Sequence, residues 1–94
     1  MQFLAITRRR TERFSDAEFA VALPPEAARA RELYANGAFR ALYSRGDIPG
    51  AVIVLEAADA AEAEKIVASL PMAQQAMMDI EVIPLRPYRG FVGG

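Results

Sequence analysis

The sequence contains no cysteine and no histidine, and Lys65 is the only lysine among its 94 residues. Without cysteine, neither a disulfide nor a thiolate metal site can strengthen a small domain. Without histidine, the usual metal ligand and the usual proton shuttle at neutral pH are missing, and a catalytic triad built on imidazole is excluded. We therefore expect no metal site, and any acid–base chemistry must come from carboxylates.

A basic excess and long apolar runs are missing as well. Lys and Arg number 11 against 12 Asp and Glu, so the net charge is −1. Nucleic-acid-binding domains usually carry a basic excess, so we expect no nucleic-acid partner. No apolar run approaches the roughly 18 residues of a membrane helix, and the first residues lack the features of a signal peptide. We therefore expect a cytoplasmic protein without a membrane partner.

The composition is that of a globular chain, with 53% hydrophobic and 24% charged residues. The length allows a single domain, which we place over residues 1–94. A chain this short buries only roughly two thirds of its unfolded surface, so its stability alone is small. Association with a second copy is the simplest way to bury more surface.

Hydrophobic periodicity and turn residues predict six elements in the order βαββαβ. Strands are predicted at residues 2–8, 39–45, 51–55 and 80–85, and helices at residues 25–36 and 59–70. A capping box at residues 15–18 predicts a short helical turn that Pro24 and Pro25 end. Residues 86–94 are predicted to form an extended tail. This order is typical of a ferredoxin-like α+β fold, with two helices on one face of a four-stranded antiparallel sheet.

The first and third predicted strands are apolar on both faces, at residues 3–6 and 51–55. An antiparallel sheet with one solvated face shows alternation of apolar and polar residues instead. The two helices cover one face, and the chain has no further element for the other. We therefore predict a homodimer in which two sheets face each other as a dimeric α/β barrel, with a cavity between sheet and helix edge.

Two segments of the sequence resemble the muconolactone isomerase family. The more specific one runs from Ser69-Leu70-Pro71 through the sequence Met-Asp-Ile-Glu-Val of residues 78–82 to Pro84-Leu85. The other, residues 32–43, contains a glycine, an aromatic–arginine pair and a second aromatic. The resemblance extends over about residues 26–85. It implies a dimeric α/β barrel that often assembles further into rings.

The resemblance also implies a chemistry. Members of the family move a double bond in a small unsaturated lactone carboxylate, or expel chloride from a chlorinated relative. A carboxylate base removes and returns a proton, and neither a metal nor an organic cofactor takes part. For this chain the resemblance implies a cofactor-independent enzyme of aromatic-compound catabolism with a small-molecule substrate.

The resemblance assigns the catalytic base to Glu26, in the first turn of the predicted first helix. A helix N-terminus stabilises a carboxylate anion, so the pKa of Glu26 should be low unless the cavity is dry. The alternative is an ordinary first-turn glutamate that suits the helix dipole. Leu23 stands where similar lactone enzymes carry a lysine, and Pro49 stands where some carry a tyrosine.

Glu56 and Glu81 lie in otherwise apolar strands. Such carboxylates are candidates for cavity-facing groups with a raised pKa that perform acid–base catalysis. Alternatively, Glu56 pairs with an arginine at the end of its strand, and Glu81 is a solvated residue that protects an edge strand. We take Glu56 as the second catalytic candidate and Glu81 as the solvated edge residue.

Four residues are candidates for substrate binding. Arg40, part of the aromatic–arginine pair, could clamp a substrate carboxylate, or it could form a surface ion pair. Phe3, Phe39 and Tyr43 could line a pocket for a planar apolar ligand, or they could belong to the core or the dimer interface. The run of arginines at positions 8–10 is predicted to be a solvated strand end that could attract anions to a cavity mouth.

Three functions remain open at this point. The chain could be an isomerase or lyase that moves a proton on a small anionic metabolite. It could instead bind a small apolar metabolite without catalysis, or serve as a structural subunit without a ligand. A titratable group inside the cavity would distinguish the first from the other two.

Overall fold

A computed structural model describes residues 1–91 and contains a four-stranded antiparallel sheet with helices on one face. The strands are β1 (Gln2–Arg9), β2 (Phe39–Ser44), β3 (Ala51–Glu56) and β4 (Met78–Pro84). The helices are α1 (Asp16–Ala35), α2 (Ala60–Ala68) and the single turn α3 (Pro71–Gln74). The order across the sheet is β2-β3-β1-β4, so β2 and β4 are the edges. The prediction of a ferredoxin-like α+β fold is confirmed.

Helix α1 begins at the predicted capping box but does not end at the prolines. The Ser15 side chain accepts a hydrogen bond from the Glu18 backbone N–H, and the Glu18 carboxylate accepts one from the Ser15 N–H. The helix then continues through Pro24 and Pro25 to Ala35, so the prediction of a separate turn before a second helix is wrong.

Burial on both sides of the proline pair explains why α1 continues. Each proline removes one backbone hydrogen bond, which favours a break in the helix. Helices in proteins are held mainly by the burial of an apolar face, and α1 has buried residues before and after the pair. These residues are Phe19, Ala22 and Leu33. As a consequence, Glu26 lies in the middle of a 20-residue helix and not in its first turn.

The helix-covered face of the sheet holds the core. Residues of β1 alternate, and Phe3, Ala5 and Thr7 are buried beneath the helices. In the register of the sheet Ala5 lies between Ile53 of β3 and Val82 of β4. The largest fully buried side chains are Phe3, Phe39, Ile53, Leu55, Val67, Met72 and Met77.

The opposite side of the sheet is here called the open face, and its centre, between β1 and β3, is apolar but only partly buried. Register partners share a face, so Leu4 and Val54 lie together, as do Ile6 and Val52. These four side chains are partly exposed in residues 1–91, whereas most of their neighbours in sequence on the helix side are buried. This agrees with the prediction that the sheet is apolar on both faces.

The chain after β4 passes the end of β1, where the Leu85 N–H donates to the Gln2 carbonyl. Arg89–Phe91 form a 3-10 turn in which the Tyr88 and Phe91 rings meet edge to face, with centroids 4.9 Å apart. The prediction of an extended tail therefore does not hold at this turn, and residues 92–94 lie outside the described residues. No helix within residues 1–91 is long and apolar enough to cross a lipid bilayer.

Gly50, just before β3, allows the chain to pass close to β1. A Cβ at this position would clash with the Thr7 carbonyl oxygen. The two backbone segments cannot easily move apart, because β1 and β3 are paired strands. Gly50→Ala is expected to lower the free energy of unfolding by about 2 kcal/mol, as overpacking does. Chemical denaturation measures the change. Gly46→Ala, in the same loop but with open space around it, is the control, and equal stability of the two variants would contradict the clash.

Candidate functional site

A cavity of about 370 Å³ lies between α1 and the helix-covered face of the sheet. This volume is within the range of small-molecule sites, which are mostly apolar with a few polar groups. The walls come from α1, from all four strands and from the segment around α3. The larger apolar side chains among its lining residues are Leu23, Phe39, Leu42, Ile53, Leu70, Met72 and Met78.

Two charged side chains line the cavity in the part of the chain that the structure describes, Arg9 from β1 and Glu26 from α1. Thr7 and Ser44 are the polar neutral side chains on this face, whereas Tyr43 borders the cavity but pairs with Val52, which lies on the open face. No group of three or more acidic, cysteine or histidine side chains within residues 1–91 could hold a metal ion. The cavity thus offers one anionic and one cationic group against largely apolar walls.

Glu26 is half-buried in this cavity. Its Oε1 accepts a hydrogen bond from the Met72 backbone N–H at 2.8 Å. Burial raises the pKa of the Glu26 carboxyl above its ordinary value, and this outweighs the Met72 N–H and the positive charge of Arg9, which both lower it. The predicted position in a first helical turn is wrong, because Glu26 lies mid-helix. The pKa of Glu26 follows the exception stated for a dry cavity, since burial raises it.

A second pair of contacts fixes the segment that holds Glu26. Arg29, one turn further along α1, donates from Nε and Nη2 to Ser69 Oγ at 3.2 and 3.1 Å. Ser69 Oγ donates in turn to the Ile66 carbonyl at 2.6 Å. The stretch from Ser69 to Met72 is thereby attached to α1 at two points. This attachment orients the Glu26 carboxylate toward the cavity.

Arg9 is the charged cavity residue that the sequence reasoning missed. Side chains of β1 alternate between the faces, so Arg9 follows Phe3, Ala5 and Thr7 onto the helix-covered face. Its N–H donates to the Pro49 carbonyl at 2.9 Å. The prediction treated the arginines as one solvated group, and the period of two within the strand was the signal that separates Arg9 from its neighbours.

Arg8 and Arg10 behave differently from Arg9. Arg8 forms ion pairs with Glu12 and Asp79, and Arg10 forms an ion pair with Asp79. The Arg8 and Arg10 side chains thus form their ion pairs outside the cavity. The prediction of a solvated strand end is therefore suitable for Arg8 and Arg10 but wrong for Arg9, which lines the cavity.

Glu56 does not line the cavity, because it ends β3 on the open face. Its Oε2 accepts a hydrogen bond from the N-terminal amine of Met1 at 2.8 Å. That bond, the amine charge and the charge of Arg40 lower the pKa of Glu56. The expectation of a cavity-facing group with a raised pKa is wrong for Glu56. Glu81 is exposed on the edge strand β4, which agrees with the prediction of a solvated edge residue.

The four predicted substrate-binding residues separate into two groups. Phe39 lines the cavity and is almost fully buried. Tyr43 borders the cavity at its rim, but its register partner Val52 lies on the open face and 64% of its surface is exposed. Phe3 is fully buried in the core and does not line the cavity. Arg40 is exposed at an irregularity of edge strand β2 and is also absent from the cavity wall.

Comparison with known proteins identifies one family. A family model described as muconolactone delta-isomerase matches residues 1–90. A search of curated proteins gave no match. A crystal structure of muconolactone isomerase is similar to this chain with a TM-score of 0.78 and 19% identity, covering 100% of this chain and 97% of the other.

A second solved structure is similar in fold. It is 5-chloro-2-hydroxyhydroquinone dehydrochlorinase from Burkholderia phenoliruptrix AC1100 in complex with 2,5-dihydroxybenzoquinone. The TM-score is 0.70 at 16% identity, covering 96% of this chain and 98% of the other. At these identities the two structures establish the fold, and the family match comes from the sequence.

Proposed function

This chain belongs to the muconolactone delta-isomerase family, and from that premise we propose that it is a cofactor-independent isomerase or lyase with Glu26 as its base. The substrate is a small unsaturated carboxylate or lactone, of the kind formed in the breakdown of aromatic compounds. The observation that carries the proposal is the half-buried Glu26 carboxylate, with its raised pKa, in an apolar cavity of about 370 Å³.

The two carboxylate oxygens of Glu26 have separate tasks in this proposal. Oε1 is held by the Met72 N–H, whereas Oε2 accepts no hydrogen bond from the residues that the structure describes. Oε2 removes a proton from a substrate carbon next to the double bond, and the electron pair moves into the conjugated system. The Glu26 acid then returns the proton to the far carbon. The double bond has moved, and no atom has been gained or lost.

A lyase reaction uses the same first step. Oε2 removes the proton, and the electron pair forms a new double bond while chloride leaves from the neighbouring position. Glu26 afterwards releases its proton to solvent. A raised pKa helps both reactions, because a more basic carboxylate takes a carbon-bound proton more readily.

The size and apolar lining of the cavity are suitable for a small ring-shaped substrate. Phe39 and Ile53 form an apolar floor on the sheet, and Leu70 closes one side. The two similar structures are those of enzymes named for a lactone and for a chlorinated hydroxyhydroquinone. Both names describe small unsaturated rings, and this supports the same substrate class here.

We also propose that two copies of the chain associate through their open faces to form the dimeric α/β barrel. Leu4, Ile6, Val52 and Val54 present an apolar surface that residues 1–91 leave partly exposed. A second sheet would bury this surface and add to the small stability of a 94-residue domain. A larger ring of dimers is what the family resemblance implies.

The pH dependence of turnover tests the role of Glu26. Only the ionised carboxylate can accept a proton, and the protonated form accumulates as pH falls through the raised pKa. With muconolactone as substrate, kcat/KM is expected to fall about tenfold per pH unit below the pKa of Glu26, which lies above that of an ordinary glutamate. In D₂O, NMR should show deuterium in the product only to the extent that the Glu26 acid exchanges its proton with solvent before returning it.

Two results would count against this proposal. Activity that stays constant down to the pKa of an ordinary glutamate would exclude Glu26 as the base. Binding of muconolactone without turnover at any pH would favour the non-catalytic binder, for which the mostly apolar lining is equally suitable.

A further inference from the structure

Arg9 is the one cationic side chain that lines the cavity within residues 1–91. It extends from the end of β1, on the same face of the sheet as the buried Thr7. The site therefore places a guanidinium and the Glu26 carboxylate in one largely apolar space. In such surroundings a single charge affects ligand binding strongly, because water screens it poorly.

Neighbouring arginines have acidic partners, and Arg9 does not. Among the described residues, Arg8, Arg10, Arg29 and Arg45 each form an ion pair, whereas no acidic group lies within ion-pair distance of Arg9. An arginine that lines a cavity without a paired carboxylate has hydrogen-bond donors available for an anionic ligand.

The ring of Phe19 positions the Arg9 guanidinium. The guanidinium carbon lies 5.3 Å from the ring centroid, which is a cation–π contact. Phe19 is 5% exposed and packs edge to face on Phe14, so this support is fixed within the fold. A guanidinium stacked on a ring keeps its N–H edge available, and this edge can donate two parallel hydrogen bonds to a carboxylate.

We propose that Arg9 binds the carboxylate of the substrate and makes the site selective for anionic ligands. This assignment rests on the proposed function for its substrate class. The ligand carboxylate would lie at the β1 side of the cavity, and its apolar ring would lie against Phe39 and Ile53. The reacting carbon would then be near Glu26.

The charges around Glu26 agree with this arrangement. The Met72 N–H from α3 and Arg9 from β1 both lower the pKa of Glu26. A ligand carboxylate on Arg9 would offset the guanidinium charge. Glu26 would then be a stronger base with the ligand bound than without it.

Muconolactone and its methyl ester form a matched pair of probes, because they differ only in the anionic group. Calorimetry with the full chain carrying Glu26→Gln measures binding without turnover. With Arg9 present, we expect the acid to bind about 10- to 100-fold more tightly than the ester, as for a hydrogen-bonded charge. Adding Arg9→Met should reduce this preference to about twofold, and Arg9→Lys should restore part of it.

Two further variants test whether the preference for the acid depends specifically on the charge at position 9. Arg13→Met removes an exposed arginine a few residues away and should leave the preference for the acid unchanged. Arg9→Gln removes the charge but keeps a polar side chain, so it replaces Arg9→Met if circular dichroism shows that the latter does not fold.

The outcomes distinguish a failure of the Arg9 assignment from a failure of the proposed reaction. If the chain with Arg9 intact binds acid and ester equally, or binds neither, Arg9 is not the carboxylate site. The same conclusion follows if the preference survives Arg9→Gln. If the preference depends on Arg9 but the unmodified chain gives no turnover, the assignment of Arg9 holds and the proposed reaction is wrong.

Discussion

Glu26→Gln is expected to lower kcat for double-bond isomerisation by about 10³-fold, within the range of general acid–base catalysis. The glutamine oxygen can still accept the hydrogen bond from the Met72 N–H, so the α3 segment should keep its place. The amide cannot take up and return a proton at neutral pH. Progress curves with muconolactone measure kcat, and size-exclusion chromatography checks that the assembly is unchanged.

Glu64→Gln is the matched control for this variant. Glu64 is an exposed residue of α2 that does not line the cavity, so the same chemical change there should leave kcat within a factor of two. If Glu26→Gln turned over at the rate of the unmodified chain, Glu26 would not be the base. Equal losses in both variants would likewise refute a role specific to the cavity.

Val54→Glu is expected to weaken the proposed dimer by at least about 10³-fold. Val54 lies in β3 on the open face, paired with Leu4 of β1. In a twofold-symmetric dimer each substitution appears twice, so two carboxylates would be buried without partners at a cost of several kcal/mol. Sedimentation equilibrium at micromolar concentration measures the change from dimer to monomer.

Ala61→Glu is the control for the charge change. Ala61 is exposed on α2, on the side of the molecule away from the open face, and its substitution should leave association intact. An unmodified chain that is monomeric and stably folded at micromolar concentration would refute the dimer. A Val54→Glu variant that remains dimeric would show that the chains associate through a different surface.

The fold was predictable because, at most positions, local sequence preferences favour the same structure as packing between distant residues. The apolar run of β1 and the capping box at Ser15 have the same meaning in isolation as in the folded chain. The error at Pro24 and Pro25 has a physical reason. A local rule favours a helix break there, and burial of α1 residues on both sides outweighs it. The error also misplaced Glu26 along the helix.

The site was predictable only in part. Glu26 and Phe39 line the cavity as the sequence reasoning proposed, whereas Tyr43 only borders it. Glu56 could not be placed correctly, because its partner is the amine of Met1, 55 residues away in the sequence. Composition and spacing carry no information on such a contact.

The misplacement of Phe3 and Arg40 has a different cause. Strand periodicity gives the face on which a side chain lies but not its depth beneath the helices, and Phe3 is fully buried in the core. An irregularity in strand pairing between Phe39 and Ala41 interrupts the simple alternation around Arg40. Neither depth nor a register shift can be read from a single sequence.

The alternation of β3 has a consequence for how this protein can diverge. Ala51 and Ile53, at odd positions, line the cavity, whereas Val52 and Val54, at even positions, lie on the open face. Exchanges at positions 51 and 53 would therefore change ligand preference, and exchanges at positions 52 and 54 would change the association that we propose. The two properties would then evolve independently, because they depend on side chains of opposite parity in one strand.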